Sequence, residues 1–152
     1  MASRSTLYTT EILRLAASLA DARTLEPEDG TAELRSPTCG SRVRTSVQVG
    51  PDGCVEAISQ QVHACAFGQA SAAILEQGAK GRTAADVQQA VHDITAWLDG
   101  SADNPQWPGI AALGPARSRR SRHAAILLPF RSLAAALGEA ADRRREGGPP
   151  AP

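Results

Sequence analysis

Three cysteines are the residues of this 152-residue chain best suited to chemistry: Cys39, Cys54 and Cys65. Small, helix-favouring residues follow Cys65, and Gly78 and Gly81 supply stop signals, so the sequence predicts Cys65 at the start of a helix. Unpaired backbone N–H groups and the positive end of the helix dipole stabilise a thiolate there, and a thiolate binds metal or attacks sulfur. The alternative for a cysteine in an alanine-rich segment is a small buried apolar residue.

The position of Cys39 favours the chemical interpretation. It lies just ahead of two predicted strands, 42–50 and 54–62, which alternate apolar and polar residues around a Gly-Pro-Asp-Gly turn. Cys65 follows Cys39 by 26 residues, a spacing that suits a hairpin whose arms leave and return to one end of a sheet. We therefore expect these two cysteines together. Cys54 directly follows the turn, and strand ends lie roughly 20 Å apart, so we expect it to be distant.

Composition limits the classes of function. The chain has 16 basic and 16 acidic residues and only 3% aromatic residues, so it lacks both the positive field and the stacking surface of nucleic-acid-binding proteins. Without a secretory signal or a segment of ~20 apolar residues, the sequence predicts a cytoplasmic protein with no membrane association. In that reducing compartment, three cysteines are typical of free thiols or metal ligands.

The remaining segments complete the predicted fold. We expect an amphipathic helix over 7–19, a strand over 31–36, a helix after a capping pair at Thr83 and Asp86, and a last helix that begins at Pro129. The fold class is α+β, a three-stranded, largely antiparallel sheet with helices packed on one side. We predict one domain over residues 1–145 and a disordered tail over 146–152.

A basic segment precedes the last helix. Four arginines and His123 lie within residues 117–123. Such a segment is either a solvated loop or a positive rim that stabilises thiolates and docks an acidic partner.

Four short motifs, in this order and spacing, resemble the NifU/IscU-type iron–sulfur cluster assembly scaffolds. The resemblance covers roughly residues 7–140. The motifs are Cys-Gly-Ser at 39–41, Ala-Cys-Ala-Phe-Gly-Gln-Ala-Ser-Ala at 64–72, Lys-Gly-Arg-Thr at 80–83 and Leu-Pro-Phe at 128–130. The resemblance implies a NifU/IscU-like fold and a site for iron or a transient iron–sulfur cluster at Cys39 and Cys65.

Two positions depart from the family's pattern. Ala125 stands at the position of the family's third cysteine, and Ser41 stands at the position of an aspartate. A [2Fe–2S] cluster takes four ligands, mainly thiolates, so the inherited set of two is incomplete. His63 and His123 are candidates for nitrogen ligands, which would restore a Cys2His2 set suited to zinc or a labile cluster.

The resemblance implies a carrier and not an enzyme. The leading hypothesis is a scaffold-like protein that binds iron, a cluster or zinc at Cys39 and Cys65, and passes it to acceptor apoproteins after a cysteine desulfurase supplies sulfur. One alternative is a degenerate scaffold that serves as a zinc-binding or desulfurase-interacting module, which Ala125 favours. Another is a sulfurtransferase-like protein that carries a persulfide on Cys65. The metal, the acceptors and the oligomeric state stay open.

Overall fold

The computed structural model describes residues 8–147. Three strands are followed by helices, with one helix ahead of the sheet. The elements are α1 (Thr10–Ala17), β1 (Gly30–Arg35), β2 (Arg42–Val49), β3 (Val55–His63), α2 (Ala66–Gly78), α3 (Ala84–Leu98), a 3-10 helix (Ile110–Ser118) and α4 (Arg120–Gly147). All three strands were predicted, within one residue at each end.

The strands form one antiparallel sheet in the order β1-β2-β3. Alternation along β2 buries one face, where Val43, Thr45 and Val47 lie, and leaves the other face partly exposed. The helices pack on the buried face, which confirms the predicted α+β class with helices on one side. The chain between α1 and β1 contacts the other face, where the backbone N–H of Arg23 donates to Ser59 Oγ at 2.8 Å.

Small residues let α4 lie very close to the sheet. A Cβ built on Gly30 of β1 would collide with the carbonyl oxygen of Ala136 and would lie 2.9 Å from the backbone nitrogen of Ala140. Nearby, Thr45 Oγ1 donates a buried hydrogen bond of 2.8 Å to Ser132 Oγ. Because this contact is made by backbone and hydroxyl atoms, it tolerates no added side-chain volume.

Local side-chain hydrogen bonds determine where α1 and α3 begin and hold the connector that follows α3. Thr9 caps α1, since its Oγ1 accepts from the backbone N–H of Ile12. Thr83 and Asp86 form the predicted capping box at the start of α3. Trp107 anchors the connector after α3: its side chain is buried, and its indole N–H donates to the carbonyl of Ile74 in α2 at 3.1 Å.

The predicted start of the last helix is wrong. It begins at Arg120, so Pro129 lies in the helix interior and the segment 120–123 is helical instead of a loop. Proline has no N–H to donate to the carbonyl of Ala125, which costs about 3 kcal/mol in an ordinary helix. Burial of the apolar residues on both sides of the proline, among them Ile126 and Leu133, offsets that cost.

The end of α4 also differs from expectation. The helix continues through Glu146 and Gly147, which were expected in the tail, while residues 148–152 of the predicted tail and residues 1–7 lie outside the described residues. By length and composition α4 is a candidate membrane span, with 28 residues and a window of mean hydropathy 1.4. Because 61% of that window is buried in the protein, α4 here is a core helix.

The contact between Gly30 and α4 predicts a strong asymmetry between two glycine substitutions. Gly30→Ala should destabilise the fold by about 2–4 kcal/mol, since backbone atoms of α4 block the new methyl group. Gly138→Ala, on the same helix with open space at its Cβ, should be neutral or stabilise by up to about 1 kcal/mol. Urea unfolding of both variants measures this. Similar losses in both would show that α4 does not lie this close to β1.

Candidate functional site

A pocket of about 490 Å³ opens at one end of the sheet. Cys39 reaches it from the turn between β1 and β2, and Cys65 reaches it from the junction of β3 and α2. The lining residues come from three parts of the chain: Cys39, Gly40, Ser41, Val62, His63, Ala64, Cys65, Gln69, Ser121, Arg122 and Ala125. The structure therefore brings together the two predicted cysteines, as the hairpin spacing indicated.

Cys39 lies on a tight turn that exposes its sulfur. The turn is closed by backbone hydrogen bonds between Ser36 and Ser41 at 2.8 Å and between Gly40 and Ser36 at 2.9 Å, and Gly40 adopts a φ of 73°. Desolvation acts to raise the pKa of the Cys39 thiol, but side-chain hydrogen bonds from Ser36 and Ser41 outweigh it and lower the pKa overall. The Ser41 hydroxyl lies 3.1 Å from Cys39 Sγ. The hydrogen bonds thus favour the thiolate form of Cys39 relative to an ordinary cysteine.

Cys65 occupies the N-cap position of α2, as predicted. Its backbone is extended, with φ of −67° and ψ of 174°, and its side chain is half-buried against the core. The first backbone N–H groups of α2 have no partner within the helix, and the Cys65 side chain does not cap them. Gly68 in the first turn is required by the entry into the helix, because a Cβ there would lie 2.5 Å from Ala64 Cβ, whereas its distance of 3.4 Å from the Ala125 carbonyl oxygen would be an ordinary contact.

The two candidate histidines have different positions. His63 ends β3 and lines the pocket, although the alternation of the strand leaves it exposed on the outer face of the sheet, opposite Arg42. His123 is not among the lining residues, and its Nε2 lies 3.0 Å and 3.1 Å from the carbonyl oxygens of Ala116 and Arg117. As a metal ligand His123 stays a prediction, since the structure places its ring against these carbonyls and outside the pocket lining.

The helical start of α4 explains the position of His123. Residues two apart on an α-helix are rotated by about 200°, so His123 faces away when Ala125 faces the pocket. Ser121 and Arg122, which precede Ala125 by four and three residues, share its face and line the pocket instead. The prediction assumed a loop, in which this rule does not apply.

Ser121, Arg122 and Gln69 are the polar lining residues that the sequence did not single out individually as site residues. The i, i+4 spacing of Cys65 and Gln69 could have identified Gln69 as a pocket residue, since residues four apart lie on one face of a helix. The Gln69 amide donates to the carbonyl of Ala64 at 3.1 Å. Of the basic segment, Arg117 is structural: its Nε donates to the carbonyl of Trp97 at 2.8 Å.

Ser41 and Ala125, the two positions that depart from the family's pattern, lie in the wall of the pocket. Ser41 is buried and its hydroxyl forms a hydrogen bond with Cys39 Sγ, while Ala125 is 1% exposed. Across residues 8–147, no group of three or more His, Cys, Asp or Glu side chains is arranged to hold a metal ion. Two thiols are therefore the strongest donors that the pocket offers.

Cys54 lies at the opposite end of the sheet, as expected. It precedes β3, whose last residue His63 lines the pocket, and nine residues of strand span about 30 Å. Burial, a hydrogen bond with Asp52 and the negative charges of Asp52 and Asp86 raise the pKa of the Cys54 thiol.

The pKa of Cys39 is lowered and the pKa of Cys54 is raised, so we predict that these two thiols react at different rates. At pH 7 a larger fraction of Cys39 than of Cys54 is thiolate, so iodoacetamide should alkylate Cys39 about three- to tenfold faster in the folded, metal-free protein. Ser41→Ala removes a donor to the thiolate and should slow Cys39 about two- to fivefold, with the Cys54 rate as internal control. Peptide mapping against time gives both rates. Equal rates at Cys39 and Cys54 would contradict the assigned hydrogen bonds.

Comparisons with known proteins agree with this architecture. The NifU-like N terminal domain family matches residues 7–111, which include Cys39 and Cys65 but end before Ala125. A nitrogen-fixing NifU-like protein (N-terminal) from Brucella abortus has a similar crystal structure, with TM-score 0.83 and 27% identity over 93% of this chain and 99% of that one.

A candidate iron–sulfur cluster assembly scaffold protein for the SUF system from Fervidobacterium islandicum AW-1 shares the fold, with TM-score 0.77 and 19% identity over 86% of this chain and 96% of that one. No curated protein sequence matches significantly. The family match covers more than two thirds of the chain, and the resemblance suggested by the sequence motifs is confirmed. This protein belongs to the family of NifU-like N terminal domains.

Proposed function

We propose that this protein is an iron–sulfur cluster assembly scaffold that holds iron or a forming cluster as cargo between Cys39 and Cys65 and passes it to acceptor proteins. The observation that carries the proposal is the single pocket that both cysteines line, in a chain of the NifU-like family. The fold shared with the Brucella and Fervidobacterium proteins supports it. In this role the protein is a carrier and not an enzyme.

The two cysteines would have different tasks. Cys39 lies on an exposed turn and its pKa is lowered, so it is the thiol that an incoming donor meets first. Cys65 is half-buried and is attached to the rigid start of α2, so it would fix the cargo against the protein. Arg122 lines the same pocket and would stabilise the negative charge of two thiolates and bound sulfide.

If only two protein thiolates bind the cargo, its remaining ligand positions must be filled by other donors. Sulfide is one source, and His63, which lines the pocket, is another. A cargo held by few protein ligands would be released more readily than one held by four, and easy release suits a donor to apoproteins. The partners of this proposal are a cysteine desulfurase that supplies sulfur and the acceptor apoproteins.

Ala125 favours a second candidate function. A buried methyl group lies in the pocket wall where a donor atom would strengthen the site. With that position apolar, the protein would serve as a zinc-binding or desulfurase-interacting module that has kept the fold and lost cluster assembly. Substitution at Ala125 separates the two functions.

Anaerobic reconstitution with iron and sulfide tests the proposal on matched cysteine variants. Cys39→Ser and Cys65→Ser should each lower iron retention about tenfold or more, because loss of one protein thiolate costs at least about 1.4 kcal/mol. Cys54→Ser, at the far end of the sheet, is the control and should match the wild type. Bound iron, bound zinc and the visible absorption spectrum are measured for each protein.

Two further variants in the same experiment decide between the candidate functions. Ala125→Cys should raise cluster retention if the wild-type site is a weak scaffold. His63→Ala should lower retention about tenfold if the imidazole completes the ligand set, whereas His123→Ala should have a smaller effect because that ring contacts carbonyls outside the pocket. A wild type that retains zinc but no iron supports the second function. If neither metal is retained, even by Ala125→Cys, both are wrong.

A further inference from the structure

The pocket between the two cysteines has room for more than the proposed cargo. Its volume of about 490 Å³ lies within the range of about 300–1,000 Å³ that is typical of small-molecule sites. A [2Fe–2S] core is a group of only four atoms, so it fills a small part of this space. Ala125 adds to the room, because its methyl group lies in the wall at the position of the family's third cysteine. The pocket can therefore hold the cargo together with a second small molecule.

The protein supplies too few ligands for a cluster. Besides its bridging sulfides, a [2Fe–2S] core takes four ligands, and Cys39 and Cys65 supply two of them. His63 would supply at most one more, so at least one position stays open. The other polar side chains of the lining carry hydroxyl, amide or guanidinium groups, which are not the ligands that such clusters take: Ser41, Gln69, Ser121 and Arg122. A thiolate from outside the chain is the donor that best suits the open position.

Arg122 indicates which kind of thiol the pocket suits. It is half-buried in the pocket lining, and among residues 8–147 it forms no ion pair with a carboxylate. No Asp or Glu of the described chain lines the pocket, so no carboxylate of the lining competes for the guanidinium. A guanidinium binds a carboxylate through two parallel hydrogen bonds. A small thiol that also carries a carboxylate could thus bind the cargo at one end and Arg122 at the other.

We propose that a low-molecular-weight thiol bearing a carboxylate binds in this pocket, where its thiolate completes the ligand set of the cargo and its carboxylate pairs with Arg122. This inference rests on the function proposed above and names the missing ligand. The thiol loses its proton to solvent as its sulfur binds iron, and no electron is transferred. On release, an acceptor's cysteine thiolate forms a bond to the iron while the bond from iron to the small thiolate breaks. The small thiol is therefore the ligand that an acceptor can replace without unfolding any part of the pocket.

Reconstitution with two matched thiols tests the ligand role. The probes are 3-mercaptopropionate and its uncharged methyl ester, each added as the only thiol with iron and sulfide under anaerobic conditions and then removed by gel filtration. Native mass spectrometry counts the small thiols that stay with each bound cluster. We expect at least one 3-mercaptopropionate per cluster in the wild type, and about one fewer in Ala125→Cys, because a third protein thiolate takes its position. The wild type should retain at least about threefold more iron with 3-mercaptopropionate than with the ester.

Arginine variants locate the carboxylate. The ratio of iron retained with the acid to iron retained with the ester is compared among proteins, because Arg122 also faces the sulfide of the cargo. This ratio should fall to about one in Arg122→Gln and should stay above about two in Arg122→Lys, which keeps the charge. Arg119→Gln is the matched control, since Arg119 is an exposed arginine of the same segment that does not line the pocket. Clusters that carry no small thiol, a ratio of one in the wild type, or equal losses in Arg122→Gln and Arg119→Gln would overturn the inference.

Disulfide exchange tests the carboxylate site without any metal, so it can fail separately from cargo binding. The Cys39 thiolate attacks one sulfur of 3,3′-dithiodipropionate, whose S–S bond breaks as a mixed disulfide forms and one 3-mercaptopropionate leaves as a thiolate. The preference of Cys39 for this dianion over its neutral dimethyl ester should fall at least about threefold in Arg122→Gln, while Cys54, at the far end of the sheet, keeps its own preference. An unchanged preference at Cys39 would contradict the carboxylate site even if the cargo binds. A wild type that retains no iron with either thiol would contradict the proposed function and the ligand role, whatever the exchange rates show.

Discussion

The structure depends on how closely α4 approaches its neighbours. At the sheet, Gly30 leaves room for the backbone of α4, and at the start of α2 Gly68 faces Ala125 of α4. The hydroxyl of Ser71 on α2 donates to the carbonyl of Ile126 at 2.6 Å, a buried bond that fixes the two helices in depth and rotation. These contacts hold the start of α4 beside the hairpin, and the pocket is the space left between them.

The same contacts explain why the two thiols differ. Cys65 is carried by the helix that packs on α4, so its position is set by the core. Cys39 is carried by a turn whose own hydrogen bonds, to Ser36 and Ser41, fix its shape while its sulfur stays exposed. A rigid, half-buried thiol and an exposed one with a lowered pKa are suited to holding and receiving, respectively.

Much of this arrangement was predictable because local rules decide it. Alternation fixed the strands, the Gly-Pro-Asp-Gly turn fixed the hairpin, and the helix start placed Cys65. The start of α4 was not predictable, because proline and a basic segment argue locally against a helix and only burial against the sheet and α2 overrides them. Ser121 was missed for the same reason, and the basic segment did not show that Arg122 is the arginine that lines the pocket, since their common face exists only in the helix.

The hairpin of β2 and β3 connects the two thiols in the chain but does not set the distance between them. β2 begins at the pocket and β3 ends there, so adding two residues to each strand would move the turn and Cys54 outward by about 7 Å and leave Cys39 and Cys65 in place. One extra residue in one arm can be absorbed as a bulge, as the register shift between Gln48 and Val49 near the turn shows. The length of the hairpin therefore does not determine how close the two thiols lie.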